Sequence, residues 1–200
     1  MYLMRIKELL IVACMIYTGG CTIVNDYRGR LHFECAGGNQ FISHVSSVRS
    51  NHREDRVFNM SCRNLPVNVT GLTPSCYWTS ILCSLGLLVW LIFKLKMIRW
   101  YLNDWDAQMI FHGPGNRYIS GFHSYFNIYH GDRRWKVKSC NMNGIYFLAG
   151  CNHTPWTNGW NGKQNFIADS NRVMTGIIST HNNYREDRRY KFVTCEPIRV

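Results

Sequence analysis

A chain of 200 residues gives one domain with ample length to enclose a hydrophobic core, and its formal charge of +11 directs attention to acidic partners such as sulfated glycans, nucleic acid or anionic lipid. The 12 acidic residues form no clustered calcium loop and no acidic run, which argues against a calcium site and against direct capture of carbonate mineral. Neither G-x-S-x-G nor H-E-x-x-H occurs and the eight histidines are scattered, so the sequence predicts no enzyme, no metal site and no cofactor.

The opening segment, MYLMRIKELLIVACMIYTGG, sets Arg5 and Lys7 ahead of an apolar run from Leu9 to Ile16 and ends in small residues. That is the layout of a secretory signal peptide over residues 1–20, cleaved near Gly19 or Gly20, with residues 21–200 as the mature domain. Export makes cystine the default state of cysteine and argues against nucleic acid as a partner. Three N-x-S/T triplets, at Asn59, Asn68 and Asn152, are N-glycosylation acceptors that suit this compartment.

The first element with internal kin begins at Asn39. Asp-Arg followed by an aromatic residue occurs three times, as Asp55-Arg56 with Phe58, Asp132-Arg133 with Trp135, and Asp187-Arg188 with Tyr190. Asn39, Asn116 and Asn171 each lie 16 residues before the aspartate, and Ser47, Ser124 and Ser179 each lie 8 before it. One unit is therefore repeated three times. Each copy has two runs rich in β-branched and aromatic residues, separated by turn-capable stretches such as SNHRE, NIYHG and HNNYRE. The pattern predicts an all-β fold, a single domain of three pseudo-repeated β-hairpin units. Within a unit, the arginine two residues before the aromatic shares its strand face, where its guanidinium can lie against a ring with the preceding aspartate as charge partner. This motif is read as a signature of the fold.

The spacing is uneven, with 77 residues between Asp55 and Asp132 and 55 between Asp132 and Asp187. The excess of 22 matches TSILCSLGLLVWLIFKLKMIRW, residues 79–100, a hydrophobic stretch unlike the rest of the mature chain. Three readings are open: an insertion foreign to the repeat, such as translated intron sequence; a buried or interfacial helix; or a membrane span. Its apolar core, Ile81 to Phe93, is shorter than the roughly 20 residues a spanning helix needs. A span would also divide three homologous units between two compartments, so a membrane anchor is not expected.

In the second unit, alternation sets Arg133, Trp135 and Val137 on one face and Arg134, Lys136 and Lys138 on the other. The third unit repeats this with Arg188, Tyr190 and Phe192 against Arg189 and Lys191. In the first unit the outward positions are Val57, Asn59 and Ser61, so a glycan at Asn59 would shield that strand. Between the second and third hairpins, Trp156-Thr157-Asn158-Gly159-Trp160-Asn161-Gly162 offers stacking rings and turn residues, either for a sugar or as a tryptophan-anchored connector.

Setting aside Cys14, Cys21 and Cys83, six cysteines remain, and six allow 15 pairings. Cys35 and Cys62 flank the first hairpin and would clamp its ends. In the second unit the corresponding positions are Gly113 and Ser139, so both partners are absent together. Cys140 and Cys195 need other mates, for which Cys76–Cys140 and Cys151–Cys195 are proposed.

These features together, three D-R-x-[WFY] units each closed by cysteine, Cys76-Tyr77-Trp78 and Asn103-Asp104-Trp105, resemble the dermatopontin family over residues 24 to 200 apart from the insertion. The family's Cys-Pro-Gly stands here as Gly113-Pro114-Gly115, and its Cys-Cys pair as Ser139-Cys140. The resemblance implies a secreted extracellular matrix protein that binds the glycosaminoglycans of proteoglycans, supports cell adhesion through cell-surface receptors and influences collagen or shell matrix assembly. Invertebrate relatives include carbohydrate-binding agglutinins, so a secreted lectin is the alternative. The residues independently locate polyanion binding at Arg134, Lys136, Lys138, Arg189 and Lys191, whose rows stand nearly 5 Å apart between strands and nearly 7 Å along them. Removing the leader and the insertion leaves the remainder basic. Reversing Lys136, Lys138 and Lys191 is expected to reduce heparin retention far more than changing Arg53 or Arg63.

Overall fold

A computed structural model describes residues 22–67, 74–79, 101–142 and 146–199. The expected signal peptide, the sequon at Asn68 and residues 80–100 of the hydrophobic stretch lie outside the described residues. Among those described, no helix is long and apolar enough to cross a membrane.

The described chain folds into twelve strands in three four-stranded antiparallel sheets. They are β1 (Thr22–Ile23), β2 (Leu31–Glu34), β3 (Gln40–Ser50), β4 (Asp55–Asn64), β5 (Cys76–Trp78), β6 (Met109–His112), β7 (Arg117–Asn127), β8 (Asp132–Asn141), β9 (Tyr146–His153), β10 (Gln164–Ile167), β11 (Val173–Asn182) and β12 (Asp187–Arg199). The predicted hairpins are β3–β4, β7–β8 and β11–β12. Each turns through four residues: the third loop amide bonds back to Ser50, Asn127 or Asn182, and the fourth residue, Glu54, Gly131 or Glu186, has positive φ.

A unit contains more than its hairpin. A lead strand (β1, β5 or β9) pairs with the second strand of its own hairpin. A four-residue arm instead crosses to the next unit: β2 pairs with β7, β6 with β11, and β10 returns to β3. The three units thus close into a ring. Each receiving strand has a register shift, between Ile42 and His44, Ile119 and Gly121, and Met174 and Gly176. The bulged residue in each, Ser43, Ser120 or Thr175, gives its carbonyl to the amide of Ala168, Cys35 or Gly113 at the end of the arriving arm.

The same closure sets the ion pairs of the interior. Arg133 bonds both oxygens of Asp55 at 2.6 Å, Arg188 bonds Asp132 at 2.5 and 2.7 Å, and Arg56 bonds Asp187 at 2.8 Å twice. Every arginine therefore pairs with the aspartate of another unit, correcting the expectation that the preceding aspartate is its partner. Each arginine also reaches the serine nine residues earlier, Ser47, Ser124 or Ser179, and a carbonyl of Gly162, Gly29 or Ala107. Each aspartate also accepts an amide from a residue held at positive φ, Arg28, Asp106 or Asn161, and Asp132 accepts that of Arg133 besides. Beside this ring, Phe58, Trp135 and Tyr190 meet edge to face, with centroids 5.3 to 6.1 Å apart.

The disulfides join Cys35 to Cys62, Cys76 to Cys140 and Cys151 to Cys195. Since Gly113 and Ala168 hold the place of Cys35 at the arm ends, the second and third units both lack the first unit's bridge. In each, an arginine bonds the residue that stands at the place of Cys62, which is Ser139 or Thr194. Arg117 bonds Ser139 Oγ, the Ser139 carbonyl and the Ser75 carbonyl. Arg172 bonds Thr194 Oγ1, the Thr194 carbonyl and Glu196.

The hydrophobic stretch interrupts a lead segment. Thr79 and Leu102 donate their amides to Val137 and Trp135, two residues apart on β8, as Thr154 and Thr157 do to Phe192 and Tyr190. Thr79 also accepts from the Val137 amide through its hydroxyl, matching Thr154 with Phe192. Thr79 is therefore part of the repeat, whose pairing with β8 is found again at Leu102.

Candidate ligand-binding faces

Alternation turns Arg134, Lys136, Lys138, Arg189 and Lys191 outward, half-buried, while Arg133, Trp135, Val137, Arg188, Tyr190 and Phe192 are buried. Asp55, Arg56, Phe58, Asp132 and Asp187 are also buried, so the entire repeat motif is interior.

The lead segments supply what the sequence reading kept separate. In each, an asparagine (Asn25, Asn103 or Asn158) takes the amide of the hairpin aromatic and donates to the carbonyl of the motif arginine. Two residues after that asparagine comes an outward ring, Tyr27, Trp105 or Trp160. The spacing of N-x-[YW] ahead of Asp-Arg was a readable signal for this second repeated motif.

These rings interleave with the basic rows. On the third unit Arg189 lies between Trp156 and Trp160, 4.5 and 4.4 Å from their centroids, and Lys191 sits 4.7 Å from Trp156. On the second unit Arg134 lies between Tyr101 and Trp105 at 5.1 and 5.5 Å, with Lys136 4.8 Å from Tyr101. The basic row and the tryptophan loop, read from sequence as two alternative sites, form one face.

The two faces differ in how far their charge is neutralised. Arg134 pairs with Asp104 at 3.1 Å and Lys138 with Glu34 at 2.6 Å. The third unit has Gly159 where the second has Asp104, and among the described residues Arg189 Nε has no hydrogen-bond partner. The grid of free charge expected from sequence is thus concentrated on the third unit. The first unit carries Val57 and Asn59 at the matching positions. Asn59, paired beside Ile23 of β1, is only 7% exposed. Unit one is set apart by its residues alone. Asn152 is exposed.

Histidines add a pH dependence. His44 on β3 and His123 on β7 are both held below the ordinary histidine value of 6.5, by burial first and, for His123, then by the charges of His32, Lys136 and Arg30. The folded chain therefore binds fewer protons than the unfolded chain below about pH 6.5, and stability present above that value is lost as pH falls. Urea midpoints are expected to drop from pH 7 toward pH 5 by roughly these two groups' titration, and His44→Gln with His123→Gln should flatten the profile.

A cyclic, cystine-stapled β-repeat with outer faces of alternating rings and cations is the class that fold and site define. The chain belongs to the dermatopontin family, whose model, described as Dermatopontin, matches residues 17–86 and 93–199 and breaks within the hydrophobic stretch. It is 36% identical over 173 residues to the Hemagglutinin/amebocyte aggregation factor of Limulus polyphemus, covering 86% of each chain. It is 27% identical to Dermatopontin of Biomphalaria glabrata, over 82% of this chain and 93% of that one. With Millepora cytotoxin-1 of Millepora dichotoma it shares 26%, over 86% of this chain and 65% of that one. Among solved structures none matches.

Proposed function

We propose that this protein is a secreted matrix protein that binds sulfated glycosaminoglycan chains of proteoglycans through the outer face of its third unit, with the second unit as a weaker site. The observation that carries this reading is Arg189 clamped between Trp156 and Trp160 beside Lys191, with glycine where the second unit has a neutralising aspartate. Pyranose rings stack on indole, and sulfates meet cations already positioned by the rings. Three disulfides suit an oxidising extracellular setting. Collagen and cell-surface receptors, implied by the family, stand as further partners.

A second reading, a lectin for neutral sugars, draws on the same tryptophans and on the name of the Limulus relative. Two faces on one chain would make such a protein bivalent, which is what agglutination requires. Competition distinguishes them: salt displaces a polyanion, and free monosaccharide displaces a neutral sugar.

Heparin affinity tests the proposal. Arg189→Glu with Lys191→Glu should cost at least about 2 kcal/mol, some thirty-fold in Kd. Lys136→Glu with Lys138→Glu should cost less, because Lys138 already shares its charge with Glu34. Changes at Arg53 or Arg63 should have little effect. Equal losses from the second and third units would defeat the ranking.

A further inference from the structure

Beyond the Asp–Arg ring the three hairpin tips converge, and equivalent positions carry different chemistry. Six residues before each motif aspartate stand Arg49, Phe126 and His181; immediately before it stand Glu54, Gly131 and Glu186. Arg49 is committed to the carbonyls of Glu186 and Arg185, at 2.6 and 2.7 Å.

His181 is different. Its side chain is fully buried, and Nδ1 lies 3.1 Å from Asn183 Oδ1 and 3.4 Å from Asp106 Oδ1. Both neighbours are acceptors, which suits the tautomer with its hydrogen on Nδ1 and its lone pair on Nε2. Nε2 has no hydrogen-bond partner among the described residues, and Asp132 Oδ1 and Glu186 Oε2 face it, each at 3.9 Å. A buried lone pair opposed by two carboxylates is unsatisfied, and a cation is what satisfies it. A cavity of about 20 Å³, lined by His181, Glu186, Asp132 and Gly131 together with Arg49 and the three ring arginines already paired with their aspartates, has room for one ion or water. A side chain on Gly131 would strike the Glu186 carboxyl, so the glycine at this tip admits the carboxylate.

We propose that His181 Nε2 and Glu186 Oε2 are the protein ligands of a borderline divalent cation such as Zn²⁺ at the hairpin tips. Two ligand atoms about 2 Å from a tetrahedral ion stand about 3.3 Å apart, so Nε2 and Oε2, 3.9 Å apart, close by about 0.6 Å on binding. The imidazole ligand favours a transition ion over calcium or magnesium. Asn183 Oδ1 orients the ring through Nδ1, and Asp106 Oδ1, 3.4 Å from Nδ1 and without a hydrogen-bond partner among the described residues, adds negative charge beside it. Asp132 already accepts four N–H bonds, from Arg133, Asp106 and both donors of Arg188, so it contributes charge from outside the ion's shell, and water completes the coordination. Sequence reading expected no metal site, because Asp106 and Asp132 come from separate segments that only the ring closure brings to the tip carrying His181 and Glu186.

The test is titration of the chelator-stripped full chain with Zn²⁺ near neutral pH, read by calorimetry and thermal unfolding. Stoichiometric binding is expected, with Tm raised by roughly 5–10 °C when Zn²⁺ exceeds Kd about a hundredfold. His181→Phe, which installs the residue found at the equivalent Phe126, should abolish it. Glu186→Gln should weaken it by about tenfold or more. His153→Gln, which removes one of the surface pair His112 and His153, should leave it unchanged. No binding by the wild-type chain, or undiminished binding in His181→Phe, overturns the assignment; if that variant fails to fold, undiminished binding in Glu186→Gln overturns it.

Discussion

Replacing Arg133 with alanine is expected to lower stability by about 3–5 kcal/mol, roughly 10 °C or more in Tm, whereas replacing its outward-facing neighbour Arg134 costs at most about 1 kcal/mol. Arg133 is 3% exposed and spends its guanidinium on both oxygens of Asp55, on Ser124 and on the Gly29 carbonyl. Without it, the Asp55 carboxylate remains buried with the Arg28 amide donating to it. The loss is therefore chiefly the exposure of an unpaired charge to a dry interior. Asp55→Asn placed on Arg133→Ala should recover part of it by removing that charge. Arg133→Lys should not rescue, since an ammonium cannot bond two carboxylate oxygens in a planar fork. Urea denaturation of the four variants tests this; Arg133→Ala matching Arg134→Ala would mean that the ring does not hold the units together.

Trp135→Ala should cost about 3–5 kcal/mol, and Trp135→Phe far less. Trp135 is 1% exposed and touches Phe58, Tyr190 and Phe122 edge to face, at centroid separations of 5.3, 6.0 and 5.9 Å. Alanine opens a void where the three units meet. Phenylalanine keeps most of the packing and removes Nε1, which is buried with no hydrogen-bond partner among the described residues. The first unit already carries Phe58 at this place, so the scaffold accepts that ring. Near-UV circular dichroism with thermal unfolding separates the two variants.

The hairpins were legible because a period of two, broken by polar turns and closed by Asp-Arg, recurs three times. The arms were not, since LHFE, MIFH and QNFI are short, share little beyond alternation, and take their meaning from a neighbouring unit. For the same reason Asp55 looked like the partner of Arg56: adjacency in sequence competes poorly with a ring closure that sends Arg56 to Asp187. The outward basic residues followed from alternation alone. What alternation cannot supply is neutralisation, because Glu34 and Asp104 reach Lys138 and Arg134 from other elements. Asn59 shows the same limit, pointing outward by parity yet packed beside β1.

Hydrogen exchange of the full chain, free and with a heparin oligosaccharide, bears most directly on where the ligand sits. Protection confined to β12 and the Trp156–Trp160 segment, with weaker protection on β8, is the predicted result. Protection centred on β3 and β4, or absent from β12, would contradict it.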